Sequence, residues 1–203
     1  QLAGQLLQLS DKGKGIAHTA LLMSRWSQDF VYPDGRWPGH GDTFKRANPA
    51  VRQDVERVRS HVRQSIFLPE NGYCLLKGVH EDVLWMLGVV ASNLNPTHKH
   101  QDDLSCFLWL GGVEWLTDPS FYSHEYQQAE VAYLRSARAH NMLHVPHAKY
   151  STAPDTVQAR LTADVHQEGV VQVRGTNYAC EGYVIYRTLD CPSSGDCFSV
   201  RCT

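Results

Sequence analysis

Six of the eleven histidines, His98, His100, His124, His140, His144 and His147, fall within one stretch of a 203-residue chain. Two of them stand as His98-Lys99-His100, inside Pro96-Thr-His-Lys-His-Gln-Asp-Asp-Leu-Ser105. In an extended segment this i, i+2 spacing puts both imidazoles on one side. A carboxylate from Asp102, Asp103 or Asp118 would then complete a nitrogen and oxygen site for a divalent metal. The competing reading is a solvated polar turn ahead of a strand, which is the commoner meaning of an isolated H-x-H. Histidine and tyrosine are also suited to proton transfer near neutral pH, so chemistry is expected here.

The elements that must position these groups are strands. Gly111-Gly112 closes a hairpin between two apolar runs. If Leu110 pairs with Val113, Asp118 falls opposite Ser105, five residues from His100 and roughly 16 Å away along a straight strand. His100 and Asp118 can therefore share a metal only if residues 98–103 leave the strand and fold back over its end, which Asn95-Pro96 favours. Continuous strand pairing from His98 to Ser105 would exclude a shared ion.

Around this hairpin the chain is β-rich from Tyr73 onward. Runs at Tyr73–Val79, Val83–Ser92, Leu104–Leu110, Val113–Thr117, Val170–Val173, Tyr178–Leu189 and Phe198–Arg201 are separated by turn residues. Many short strands without intervening helices predict an antiparallel β-sandwich. Upstream the pattern is helical. Residues 1 to about 30 read as helix, broken near Asp11-Lys-Gly-Lys-Gly15; residues 31–48 form a turn-rich connector; and a polar helix runs from Pro49 to about Phe67. The expected division is a helical part over 1–67 and a β domain over 68–203.

Composition bounds the partners. Nineteen Lys+Arg against 21 Asp+Glu leave a formal charge of −2, so no global basic field of the nucleic-acid-binding kind exists. No run is long and apolar enough for a membrane helix. The chain opens at Gln1 and stops in an apolar/polar alternation, and it is expected to be a piece of something longer. The six cysteines are too irregular for a disulfide framework and are expected to be mostly buried thiols, with a bridge among Cys191, Cys197 and Cys202 left open.

His98-x-His100-x-Asp102-x-Leu104-Ser105, followed by Leu116-x-Asp118-Pro119-Ser120-x-Tyr122, resembles the signature of the heparinase II/III-like polysaccharide lyases, H-G-H-x-D-x-L-S-F and L-x-D-P-G-x-Y. Ala139-His140-Asn141-Met142 is similar to that family's A-H-N-T segment, which opens a strand. Asp34-Gly-Arg-Trp-Pro-Gly-His-Gly-Asp42 is similar to its D-G-x-x-P-x-x-G-D. Lys99, Cys106, Ser120 and Met142 depart from the family's usual Gly, Phe, Gly and Thr.

The resemblance implies the last helices of an α/α toroid followed by a mainly β domain, an antiparallel β-sandwich, with the active site between them. It implies a Zn2+ held by His100, Asp118 and His140, with His98 facing substrate and Tyr122 lining the cleft as proton-transfer groups. It implies β-elimination on an acidic, uronate-containing polysaccharide, and a periplasmic or secreted protein; a homodimer is left open. The family's Asn-His pair and toroid Tyr would lie upstream, so this chain alone is expected to have negligible lyase activity. Gly41-Asp42 reads equally as a loop-shaping pair or as a plain turn. Lys99, Arg138 and Arg187 are candidate contacts to a polyanion. Two rivals remain: a carbohydrate-binding relative that has lost the chemistry, and a cupin-like metal oxygenase, which also uses H-x-H on a β scaffold but has no use for Asp-Pro-x-x-Tyr.

Overall fold

The computed structural model describes residues 11–46, 55–60, 65–92, 98–153, 158–165, 170–192 and 198–203. Helix α1 spans Asp11–Asp29 and α2 Val55–Ser60. Strands β1 (Ile66–Leu68), β2 (Tyr73–His80), β3 (Val83–Val90), β4 (Ser105–Leu110) and β5 (Val113–Leu116) follow. After helix α3 (Ala129–Leu134) come β6 (Ala159–Val165), β7 (Val170–Asn177), β8 (Ile185–Pro192) and β9 (Ser199–Cys202). Two antiparallel sheets result, ordered β1-β2-β3-β4-β5 and β6-β7-β8-β9, so the described structure is mainly β and a sandwich, as expected.

The inner faces make one core. Cys74, Leu76, Trp85, Leu87, Val89 and Cys106 from the first sheet meet Ala159, Leu161, Val173, Leu189 and Cys191 from the second. The second sheet alternates apolar-in and polar-out, as a sheet with one wet face should. The first does not, because its other face is also covered. Val31 and Tyr32 of the 30–46 connector are fully buried there, and Tyr32 packs with Leu75, Met86, Val90, Phe107 and Trp109. Burial on both faces explains why β3 and β4 read as near-continuous apolar runs. Gly88 is needed for this packing: a Cβ there would lie 2.0 Å from Phe107 Cζ.

Several expectations are corrected. The helix does not break at Gly13 or Gly15 but runs on from Asp11 to Asp29, two glycines costing about 1 kcal/mol each among good helix formers. Residues 1–10 lie outside the described residues. The second expected helix stops short of Ile66, because Ile66, Phe67 and Leu68 pair with Leu75, Cys74 and Tyr73 as a strand. Strand β8 begins at Ile185 rather than Tyr178; a tight turn at Gly182 (φ 83°) intervenes. Strand β6 was not anticipated. Cys74, Cys106, Cys180 and Cys191 are buried and Cys202 is a free thiol, while Cys197 lies outside the described residues.

Candidate metal centre

The hairpin at Gly111-Gly112 (φ 57° and 95°) pairs Leu110 with Val113, and a bulge between Leu108 and Trp109 then opposes Leu108 to Leu116. Pairing of β3 with β4 ends at Val90 opposite Ser105. Residues 98–104 lie beyond it as a loop, the arrangement a shared ion requires. Leu104 turns the chain with φ 66°, its N–H donating to Val90 O at 2.6 Å, and its side chain seats where a Cβ on Gly175 would stand 2.2 Å away. Beneath the loop, Lys99 Nζ is paired with Asp102 and, at 2.9 Å, with Asp103. Tyr150 Oη donates to Asp103 at 2.6 Å. Burial works against the Lys99 charge, but the two aspartates hold its pKa above the ordinary value; burial pushes Asp103 up, and at Asp102 burial pushes the same way but Lys99 holds the pKa below the ordinary value. Asp102 and Asp103 are thus loop anchors.

His140 arrives from another direction. It follows a 3-10 turn, Ala137–Ala139, and does not open a strand. The next residue clips it to β4: Asn141 N–H donates to Ser105 Oγ at 3.2 Å, its side chain donates to Thr117 O at 2.8 Å, and Cys106 N–H donates to Asn141 O at 3.3 Å. Arg187, buried on β8, donates from Nη1 to Leu104 O and to Asn141 O, the latter at 2.6 Å. The second sheet therefore fixes both segments that carry the site's histidines. Asp118 sits in the loop after β5, where Ser120 takes φ 69°, the left-handed conformation that a glycine would adopt freely.

These segments converge. His100, Asp118 and His140 are all buried, and one ligand atom from each lies within 4.8 Å of the others. The imidazole centroids of His100 and His140 are 5.4 Å apart. Each side chain has one atom engaged and one not. His140 Nδ1 meets Asp118 Oδ2 at 2.9 Å, and His100 Nε2 meets Asp42 Oδ1 at 2.9 Å. His140 Nε2, His100 Nδ1 and Asp118 Oδ1 are buried with no hydrogen-bond partner, and they are three of only six such side-chain atoms among the described residues. Orphaned lone pairs in the interior cost free energy unless something electropositive fills the gap. Burial pushes the His100 pKa down, against the pull of Asp42, which favours the neutral imidazole that a metal needs. Two imidazoles and a carboxylate form a three-ligand set of the kind that holds zinc with one position open.

The other expected residues are placed as follows. His98, with φ 69° and its side chain 53% exposed, meets Asp42 Oδ2 through Nδ1 at 2.8 Å. It lines a cleft of about 340 Å3 together with His40, Asp42, Thr43, Tyr73 and Lys99. Tyr122 is 61% exposed and is not drawn into the cluster. His124 and His144 are exposed. Neither Lys99 nor Arg187 is available to a polyanion, since both are buried and bonded to the protein; Arg138 is exposed and lies 5.9 Å over the Tyr133 ring. Sequence reasoning undervalued Asp42 and overlooked Arg135, whose Nη1 reaches both Asp42 oxygens at 3.2 and 3.0 Å. Arg135 Nη2 donates to Lys99 O at 2.8 Å, and the guanidinium lies 4.6 Å over the Tyr126 ring.

Comparisons with known proteins agree with this architecture. Residues 60–192 match the family model described as heparinase II/III-like, C-terminal. The chain superposes on a crystal structure of heparinase III with a TM-score of 0.63 at 11% identity, covering 87% of this chain and 32% of that one. It superposes on heparan sulfate lyase HepC from Pedobacter heparinus with a TM-score of 0.64 at 14% identity, covering 88% and 31%. At such identities the likeness speaks to the fold, and the chain spans about a third of the length of these solved structures. No curated protein matches it in sequence.

Proposed function

We propose that this chain, which belongs to the heparinase II/III-like family through its C-terminal domain, is the metal-holding part of a lyase that cleaves an acidic, uronate-containing polysaccharide by β-elimination. The observation that carries the reading is the buried His100, Asp118 and His140 group with three orphaned atoms, lying beside a histidine that opens onto a cleft. The proposed ion is zinc, which the donor set suits. When bound, it supplies a fixed positive charge that ties together three segments: the 98–104 loop, the loop after β5 and the 137–141 segment.

The chain's own residues would do the rest. His98 is the proposed proton-transfer residue. Elimination removes the proton beside the uronate carboxylate, forms a carbon-carbon double bond and expels the 4-linked sugar oxygen, which must then be protonated. His98 has its Nδ1 occupied by Asp42, leaving Nε2 for a substrate in the cleft. Tyr122, exposed in the loop after Asp118, is the proposed second proton-transfer group on the strength of the family motif. The stretch to residue 67 is proposed as the end of a helical toroid with its connector, and the parent as a periplasmic or secreted protein. No helix among the described residues is long and apolar enough to cross a membrane.

The test is an assay of the full-length parent, with zinc, against a panel of uronate polymers, reading the ultraviolet absorbance of the unsaturated product. The expected result is product from at least one polymer, with His98→Ala lowering kcat by about 10²–10⁴-fold. Absence of product from every polymer would favour a carbohydrate-binding relative without the chemistry.

A further inference from the structure

Asp42 stands outside the three-residue metal group yet touches both histidines of the H-x-H pair. Its carboxylate is almost fully buried and receives four contacts: His98 Nδ1 at 2.8 Å, His100 Nε2 at 2.9 Å, and Arg135 Nη1 at 3.2 and 3.0 Å. We propose that Asp42 is a positioning residue that sets the ring tautomers of His98 and His100 together, turning a lone-pair nitrogen of one to the substrate cleft and of the other to the metal. The proposal rests on the metal-site reading.

An ionised carboxylate only accepts, and its two oxygens offer about four lone-pair sites. All four are taken. Arg135, which can only donate, reaches both oxygens through Nη1 at 3.2 and 3.0 Å, so the carboxylate meets a permanent cation and acts as an acceptor on both sides. With no proton of its own to give, Asp42 requires an N–H from each ring. His98 must then carry its proton on Nδ1 and leave Nε2 bare, the state a general base needs. His100 must carry its proton on Nε2 and leave Nδ1 bare, and Nδ1 is the atom of His100 that is buried without a partner. A carboxylate oriented this way on a histidine ligand both fixes the ring and raises its basicity. Arg135 completes the arrangement: it holds the carboxylate with Nη1 and, through Lys99 O, holds the backbone between the two histidines. One buried side chain on the connector thus prepares both functions of the loop at once.

The experiment uses the 203-residue chain labelled with 15N-histidine. Long-range proton-nitrogen correlation NMR of the metal-free protein reads which nitrogen of each ring is protonated. Protons on His98 Nδ1 and His100 Nε2 are expected, and the opposite tautomer on either ring would overturn the proposal. In Asp42→Asn, whose Nδ2 presents a donor where an acceptor is needed, at least one tautomer should switch. Zinc affinity, read by competition with a chromophoric chelator, should fall by about 10–100-fold. Unchanged tautomers with unchanged affinity would overturn the proposal. The wild-type tautomers need no variant, so a failure of Asp42→Asn to fold leaves the test standing. Zinc that fails to bind the wild type would count against the metal reading itself, while the metal-free tautomers still decide the role of Asp42.

Discussion

Gly88→Ala tests how the connector that carries Asp42 is held to the sheet. An ideal Cβ on Gly88 lies 2.0, 2.4 and 2.5 Å from three ring carbons of Phe107, whereas carbon atoms settle about 3.5–4.0 Å apart. The ring must therefore withdraw by about 1–2 Å. It has nowhere to go: Phe107 is 2% exposed, Tyr32 stands edge-on with its centroid at 5.9 Å, and His40 stacks on it at 6.1 Å. Overpacking of this kind costs about 1–3 kcal/mol, offset by about 0.5–1 kcal/mol that alanine gains over glycine in a strand interior. The net expectation is a loss of about 1–2 kcal/mol, measured by urea unfolding with the midpoint shifted and the slope unchanged. In a Phe107→Ala background, itself costing about 3–5 kcal/mol, the obstructing ring is gone. There Gly88→Ala should become stabilising. The double-mutant cycle should show a coupling of about 1–3 kcal/mol. An equal cost for Gly88→Ala in both backgrounds would refute the account of why this strand carries a glycine.

Three further outcomes are expected. Arg187→Ala should cost about 2–3 kcal/mol by stripping charged hydrogen bonds from Leu104 O and Asn141 O, and Arg187→Lys should not restore it because lysine lacks the planar fork; a neutral Arg187→Ala in chemical denaturation would contradict this. Burial works against the Asp34 charge, but its hydrogen bonds from Arg36 and Trp109 hold its pKa below the ordinary carboxylate value. Its contribution to stability is therefore fully present above the unfolded pKa of about 4 and is lost as pH falls through the lower folded value, so Asp34→Asn should flatten acid unfolding; identical acid limbs in the two proteins would refute it. On the proposed reading, in which the family resemblance puts further catalytic groups on a helical toroid, the 203-residue chain by itself should release no unsaturated product from uronate polymers, and robust turnover would overturn that reading.

Much of the β architecture was legible because local signals and tertiary packing agree. The hairpin at Gly111-Gly112 combines two left-handed glycines with apolar flanks, and strands β2 to β5 fall within a few residues of their expected bounds. Strand β6 shows the opposite failure. Ala159, Leu161 and Ala163 face the core and alternate with Arg160, Thr162 and Asp164, so its period-two pattern was present, but alanine is a weak hydrophobic marker. The need for the 98–104 loop was legible because strand geometry alone forbade a shared ion without it. What sits under that loop was not. Lys99 looked like a surface cation, and only the fold brings Asp102 and Asp103 round it in the interior. Asp42 is 58 residues from His100 and 93 from Arg135, and Gly-Asp in a loop has the same appearance whether or not its carboxylate is used.

We propose that His100, Asp118 and His140 hold a zinc ion that joins three segments. The measurement is the melting temperature of the purified chain, chelated and then reloaded with zinc, alongside its metal content per chain. Zinc at about 1,000 times its Kd contributes about 4 kcal/mol, and a domain of this size shifts by about 2–4 °C per kcal/mol. One zinc per chain and a rise of about 8–16 °C on reloading are predicted, with the rise abolished in His140→Ala. No stoichiometric metal and a melting temperature indifferent to zinc would rule out a zinc ion at His100, Asp118 and His140.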